Sequence, residues 1–182
     1  MASRVLFMST DILKEFVGVD INVDDRILAN SIYTAQEYYI LRIIGSSMYN
    51  HLVNKIDTNT LNNDEKILLD KYIEPALSHY AMSEVYLYLS YRSTNAGVVN
   101  KESNASSPVA FDVISRLREE EISKGNYFAK ILFDYLCANT ALFPAFNSNT
   151  NIYDIIPTAN NYNKIGYGYG INDSDVGYFE CY

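Results

Sequence analysis

Leu69, Ile73, Leu77, Ala81, Val85 and Leu89 follow one another at intervals of four. An α-helix turns once in about 3.6 residues, so this spacing draws an apolar line along one side of a long helix. Such a line must be covered by other elements, which points to a mainly α fold. Asn63 or Asp64 stands where a cap is needed at the start of the run. Pro75 lies inside it. Proline removes a helical donor and collides with the preceding turn, so a break or kink is expected near Glu74.

The same reading finds further helices. Ser9–Val17 has Ser9 or Thr10 as a cap and Asp11 in the first turn, with Gly18 as its end. Asn22–Asp25 is a second start signal. Beyond it Leu28, Ile32, Ala35, Tyr39 and Ile43 form one stripe, which Gly45 closes as a residue just past the helix end. Ser46 or Ser47 then opens a helix with Met48, Leu52 and Ile56 aligned. Ser107-Pro108 gives another start, with Ser as cap and Pro at the first helical position. Phe111, Ile114, Leu117 and Ile122 lead from there to Gly125, and Phe128, Ile131, Leu132, Tyr135 and Leu136 resume the pattern.

Two stretches break this order. Ser93–Ser107 is polar and rich in Gly, Asn and Ser, with a small apolar island at Val98 and Val99. A long connection in a small domain is usually functional. This one has the make-up of a hairpin arm with Val98 and Val99 on its first strand. After Phe143-Pro144 the periodicity stops. Asn147, Asn149, Asn151, Asn160, Asn161 and Asn163, then Gly166–Gly170, favour turns. Yet Ile152, Tyr153, Ile155, Ile156, Tyr162, Ile165, Tyr178 and Phe179 make the stretch unlike ordinary disorder. The expected architecture is a small helical bundle over residues 1–146, with a projecting loop or β-hairpin arm at 93–107. An extended Tyr/Asn/Gly-rich tail follows over 147–182. That tail packs back on its own domain or on neighbouring subunits, and the second is preferred.

Composition narrows the class. Hydrophobic residues are 48% and charged residues 20%, enough for one sizeable core in 182 residues. No apolar run approaches the roughly 20 residues that cross a bilayer. Met1–Thr10 has no signal-peptide layout, so an intracellular or virion protein is expected. The net charge is −8, which disfavours a protein that grips phosphates with Lys and Arg. Tyrosine stands out, with 17 Tyr and 8 Phe but no Trp. Its ring and hydroxyl suit surfaces that are wet alone and covered in a complex.

Little in the chain announces catalysis. His51 and His79 lack a metal-ligand partner at i+4, and no nucleophile elbow or phosphate loop appears. Glu119–Glu121 reads as a solvated helix face. Asn172–Asp175 lacks the rest of a calcium loop. Cys137 and Cys181 have no paired spacing, and Cys137 reads as a small apolar residue in a helix. A non-enzymatic protein without catalytic residues, cofactor or metal is expected.

The order of elements resembles the head–tail connector (adaptor) proteins of tailed bacteriophages, in particular those of crAss-like phages that infect Bacteroidetes. Residues 21–52 (INVDDRILANSIYTAQEYYILRIIGSSMYNHL) resemble the family's opening, with an Asp cap, a helix carrying Ala-Gln, a Gly and a second helix. Residues 68–89 (LLDKYIEPALSHYAMSEVYLYL) resemble its central helix with an Ile-x-Pro-x-Leu step. Residues 95–111 (NAGVVNKESNASSPVAF) resemble its arm, and residues 135–146 (YLCANTALFPAF) the end of its last helix. The resemblance covers about residues 8–146 and rests on order and spacing, with no catalytic signature.

The resemblance implies a structural virion protein, assembled in the host cytoplasm. Its copies form a homo-oligomeric ring, commonly a dodecamer, under the portal protein. The ring joins the capsid to the tail, docks the next tail or ring protein and continues the channel through which DNA passes without specific binding. No membrane is involved. The tail lies beyond the resemblance. Its aromatic and branched residues suggest inter-subunit contacts through Val98, Val99, Ile152, Tyr153, Ile155, Ile156, Tyr162, Tyr167, Tyr169, Tyr178 and Phe179. A tail-completion or stopper protein, or a helical adaptor module unrelated to phages, are the alternatives.

Overall fold

The computed structural model describes residues 4–17, 23–94, 97–100, 111–148 and 154–157. Among them the chain is a small, mainly helical bundle. Its elements are α1 (Thr10–Val17), α2 (Asp25–Ala35), a π-helical turn (Gln36–Ile40) and α3 (Leu41–Asp57). Then come α4 (Asn63–Leu68), a second π-helical turn (Leu69–Ile73) and α5 (Glu74–Ser90). Strands β1 (Tyr91–Thr94) and β2 (Gly97–Asn100), α6 (Phe111–Ala138) and a 3-10 turn (Pro144–Asn147) complete the order.

The caps explain the helix starts. Ser9 Oγ accepts from the Ile12 N–H at 3.2 Å, and Asp24 accepts from Arg26 N–H at 2.9 Å. The cap of α4 is Asn62, not the expected Asn63 or Asp64, which lie in its first turn: Asn62 and Glu65 form a reciprocal capping box in which each side chain accepts from the other's N–H, both at 2.8 Å. The interruption expected near Glu74 takes the form of a change of helical register. The π-helical turn ends at Ile73, and the Glu74 N–H donates to Leu69 C=O, five residues back. The wider turn lets the helical path continue through Pro75, where a regular α register would set the ring against a carbonyl.

α5 is the central helix, packed against α6, α2 and α1. That is why it is buried on more than one side: Ala76, Leu77, Ser78, Tyr80, Ala81, Met82, Ser83 and Val85 are all inside. The predicted stripe that begins in α2 is likewise buried at Leu28, Ile32 and Ala35, and continues through Tyr39 in the π-helical turn to Ile43 in α3. α6 runs unbroken through Gly125, contrary to the pause expected there. A Cβ at that position would lie 2.7 Å from Tyr80 Cε1. Tyr80 stacks on Tyr39 at 4.1 Å and donates to Asn126 Oδ1 at 2.8 Å, so the missing side chain gives the ring its place. Phe143 and Phe146 close the core beyond α6.

β1 and β2 pair antiparallel, with Arg92 opposite Val99 and Ser93 opposite Val98. Val98 and Val99 therefore sit on the second strand, not the first. Tyr91 follows α5 directly and opens the first strand, two residues before the expected start of the arm at Ser93. Cys137 is half-buried on α6, and Cys181 lies outside the described residues.

Candidate functional site

The most distinctive local geometry is where the chain crosses itself at Gly45. Gly45 has φ 75° and ψ 161°, a combination essentially confined to glycine. It breaks the helical path of α3, as expected, but with an extended ψ and not the left-handed helical one of a common C-terminal cap. The notch this leaves is filled by residues 154–157. A Cβ on Gly45 would stand 2.8 Å from Pro157 Cδ and Cγ and 2.9 Å from the Ile155 carbonyl oxygen.

Ser46 completes the notch. Its N–H donates to Ile155 C=O at 3.0 Å, and its Oγ accepts from the Ile155 N–H at 3.1 Å. Its hydroxyl also reaches Asp154 Oδ1 at 3.2 Å. Beside it, Ser47 Oγ donates to the Ser148 carbonyl at 3.3 Å. Main-chain groups at a helix break need partners from outside the helix. Here a segment more than a hundred residues away supplies them.

A second crossing lies at the first π-helical turn. Gln36 is fully buried. Its Oε1 accepts from the Phe7 N–H at 2.9 Å, and its Nε2 donates to Val5 C=O at 3.1 Å and to Tyr49 Oη at 2.8 Å. Tyr49 in turn donates to Glu37 at 2.5 Å. Burial, then the Glu37 carboxylate, push the Tyr49 phenol well above its usual range. One amide thus ties the segment before α1 to α3.

The titratable groups join helices. His79 Nδ1 lies 2.7 Å from Glu121 Oε2, and Lys124 Nζ lies 2.8 Å from Glu121 Oε1. Burial pushes the Glu121 carboxyl up, but hydrogen bonds from Lys124 and His79 outweigh it and hold it below the ordinary value. Glu121 is therefore not part of a solvated face, although Glu119 and Glu120 are exposed. His51 Nε2 lies 2.6 Å from Glu65 Oε1. Burial raises Glu65, and the Asn62 N–H and His51 more than reverse that. Glu74 moves the other way: burial, with Asp70 nearby, pushes its carboxyl up to about 7.

An aromatic row spans three helices. Phe16 meets His79 edge-on at 5.7 Å, His79 stacks on Phe128 at 5.4 Å, and Phe128 meets Tyr127 at 5.4 Å. Phe16 and Tyr127, at the two ends, are exposed.

Of the predicted contact residues, Ile155 and Ile156 lie on the segment seated at Gly45, 40% and 67% exposed. The described part of the tail thus rests on its own domain. Val98 and Val99 lie on β2. Ile152, Tyr153, Tyr162, Tyr167, Tyr169, Tyr178 and Phe179 lie outside the described residues. Sequence reading marked Gly45 and Ser46 as a helix end and start but missed their partner. The Gly-Ser junction was a visible signal; nothing in it pointed to residue 154.

Among the described residues, no helix is long and apolar enough to cross a membrane, and no His/Cys/Asp/Glu group could hold a metal ion. Neither a curated protein nor a solved structure matches the chain. A family model does, over residues 40–154, from the end of the first π-helical turn to the start of the segment seated at Gly45. The chain belongs to DUF6712, a family of unknown function.

Proposed function

We propose that the protein is a structural virion subunit of a head–tail connector, forming a homo-oligomeric ring, commonly twelve-fold, under a portal protein. The observation that carries this is the order helix–hairpin–helix, with β1 and β2 between the two most extensively packed helices, α5 and α6. It accompanies the resemblance over residues 8–146. In this reading the hairpin and the tail beyond the segment seated at Gly45 lie on neighbouring copies and add buried area without enlarging the core. Exposed Phe111, Tyr127, Leu142, Ile155 and Ile156 are apolar surface available for covering. The net charge of −8 suits a channel that lets DNA pass.

The test is the mass and symmetry of the purified protein, alone and with a portal, by native mass spectrometry and electron microscopy. A closed ring in either sample is expected. A monomer in both refutes the reading, as does tight DNA binding at physiological salt.

A further inference from the structure

We infer that the Gly45–Ser46 notch is a docking site for the Asp154–Pro157 segment of a second copy of this chain, exchanged for the copy's own segment on assembly. The inference rests on the ring reading, since it needs copies in contact.

The notch is a built site. Its floor is a glycine whose conformation other residues avoid and whose Cβ position is taken by the Pro157 ring. Its wall is Ser46, which engages Ile155 through both N–H and hydroxyl and Asp154 through the hydroxyl. The contacts read the main chain of Ile155, the Asp154 carboxylate and the proline ring. The matching ligand is therefore an extended Asp-Ile-Ile-Pro segment, and every copy carries one.

The segment's own apolar side chains argue for exchange. Ile156 stays 67% exposed where the segment sits, and Ile155 40%. The contacts that hold it to its own domain, namely the partly buried Ile155, the Pro157 ring against Gly45 and the hydrogen bonds at Ser46, are ones that an identical notch restores. Exchange of an identical element adds a link between copies at almost no cost in contacts. Its reach is bounded: residues 149–153 separate Ser148 from Asp154, a span of roughly 20 Å when fully extended. Only a directly touching neighbour can receive the segment. The two isoleucines then lie at the junction between copies, where their exposure ends.

Complementation tests this. Full-length Gly45→Ala has a filled notch and an intact segment. Full-length Ile155→Pro has an intact notch, and its segment lacks the N–H that Ser46 Oγ accepts. Alone, each is expected to exchange the Ser46 amide at least tenfold faster than the parent. When isotope-labelled Ile155→Pro copies are mixed with Gly45→Ala copies, the labelled Ser46 amide should regain protection. A synthetic peptide of residues 150–160, added to Ile155→Pro protein, should do the same and serves if Gly45→Ala fails to fold. Size measurement on the same samples separates the two ideas. Mixed multimers without renewed protection overturn the exchange and leave the ring reading standing. Monomers throughout, with and without a portal, overturn both.

Discussion

Replacing Gly45 with alanine tests the crossing at its tightest point. The substitution adds one methyl group to a backbone at φ 75°, ψ 161°. Holding a non-glycine residue there costs about 1–3 kcal/mol. The new carbon would also lie 2.8 Å from two atoms of Pro157 and 2.9 Å from the Ile155 oxygen. Contacts this short are relieved only if the segment withdraws. Withdrawal takes with it two hydrogen bonds between Ser46 and Ile155, one from the Ser46 N–H to the Ile155 carbonyl and one from the Ile155 N–H to Ser46 Oγ, each with a net value of about 1 kcal/mol. Some strain is then relaxed, so the two contributions overlap. The expected loss is about 2–4 kcal/mol. At about 2–4 °C per kcal/mol for a chain of this size, the melting temperature should fall by about 5–15 °C. Calorimetry reads the fall, and hydrogen exchange reads the Ser46 amide in the same protein. If stability stays within about 0.5 kcal/mol of the parent and Ser46 keeps its protection, the notch does not hold the segment and the reasoning fails.

Gly125→Ala should destabilise by about 1–2 kcal/mol, because overpacking against Tyr80 exceeds the gain in helix propensity; urea unfolding checks it. Gln36→Ala should cost about 2–4 kcal/mol and speed proteolysis between residues 4 and 8, since it leaves the Val5 carbonyl and the Phe7 N–H without their partner and removes the donor to Tyr49 Oη. Acid should weaken the fold through Glu65 and Glu121. Both carboxyls are held low when folded, so their contribution is present above the ordinary carboxylate value and lost as pH falls through the folded one. Glu74 has the opposite sign. Its folded value near 7 means stability declines as pH rises from the ordinary carboxylate range to about 7. With solvent screening of a half-exposed group allowed for, Glu74→Gln should stabilise by about 1 kcal/mol at pH 8 and by nothing measurable at pH 4, by denaturant melts at each pH.

The helices were legible because their signals are local. A cap, a spacing of three or four and a terminating residue all lie within a few turns, and Asp24 and the stripe from Leu28 to Ile43 behaved as those rules require, while the cap of α4 fell one residue before the expected Asn63 or Asp64. Gly125 was misread because a glycine in a helix can mark an end or a close approach. Only the position of Tyr80, on another helix, decides between them. Glu121 was misread for the same reason: His79 faces it from a different element and withdraws it from the surface its neighbours share. Pro75 is a different case, since it marked the place of the interruption but not its form. The rule that proline interrupts a helix assumes a regular α register, and the π-helical turn is an alternative that composition does not announce. The crossing at Gly45 joins residues more than a hundred positions apart, so no window along the chain could contain it.

The two π-helical turns also set the angular phase of the helices that follow them. A residue every fourth position advances about 40° per step around a straight α-helix, so a strict four-residue spacing winds off the face where it began. A turn that takes in one extra residue winds back part of that drift. Gln36–Ile40 and Leu69–Ile73 therefore act as phase correctors, keeping Tyr39, Ile43, Ile73 and Leu77 inside the core from one stretch of helix to the next. Each turn includes an outward-facing residue, Tyr38 in the first and Asp70 in the second. Exchanging Tyr38 or Asp70 for another polar residue leaves that phase intact, because it is set by the path of the backbone and not by the outward side chain.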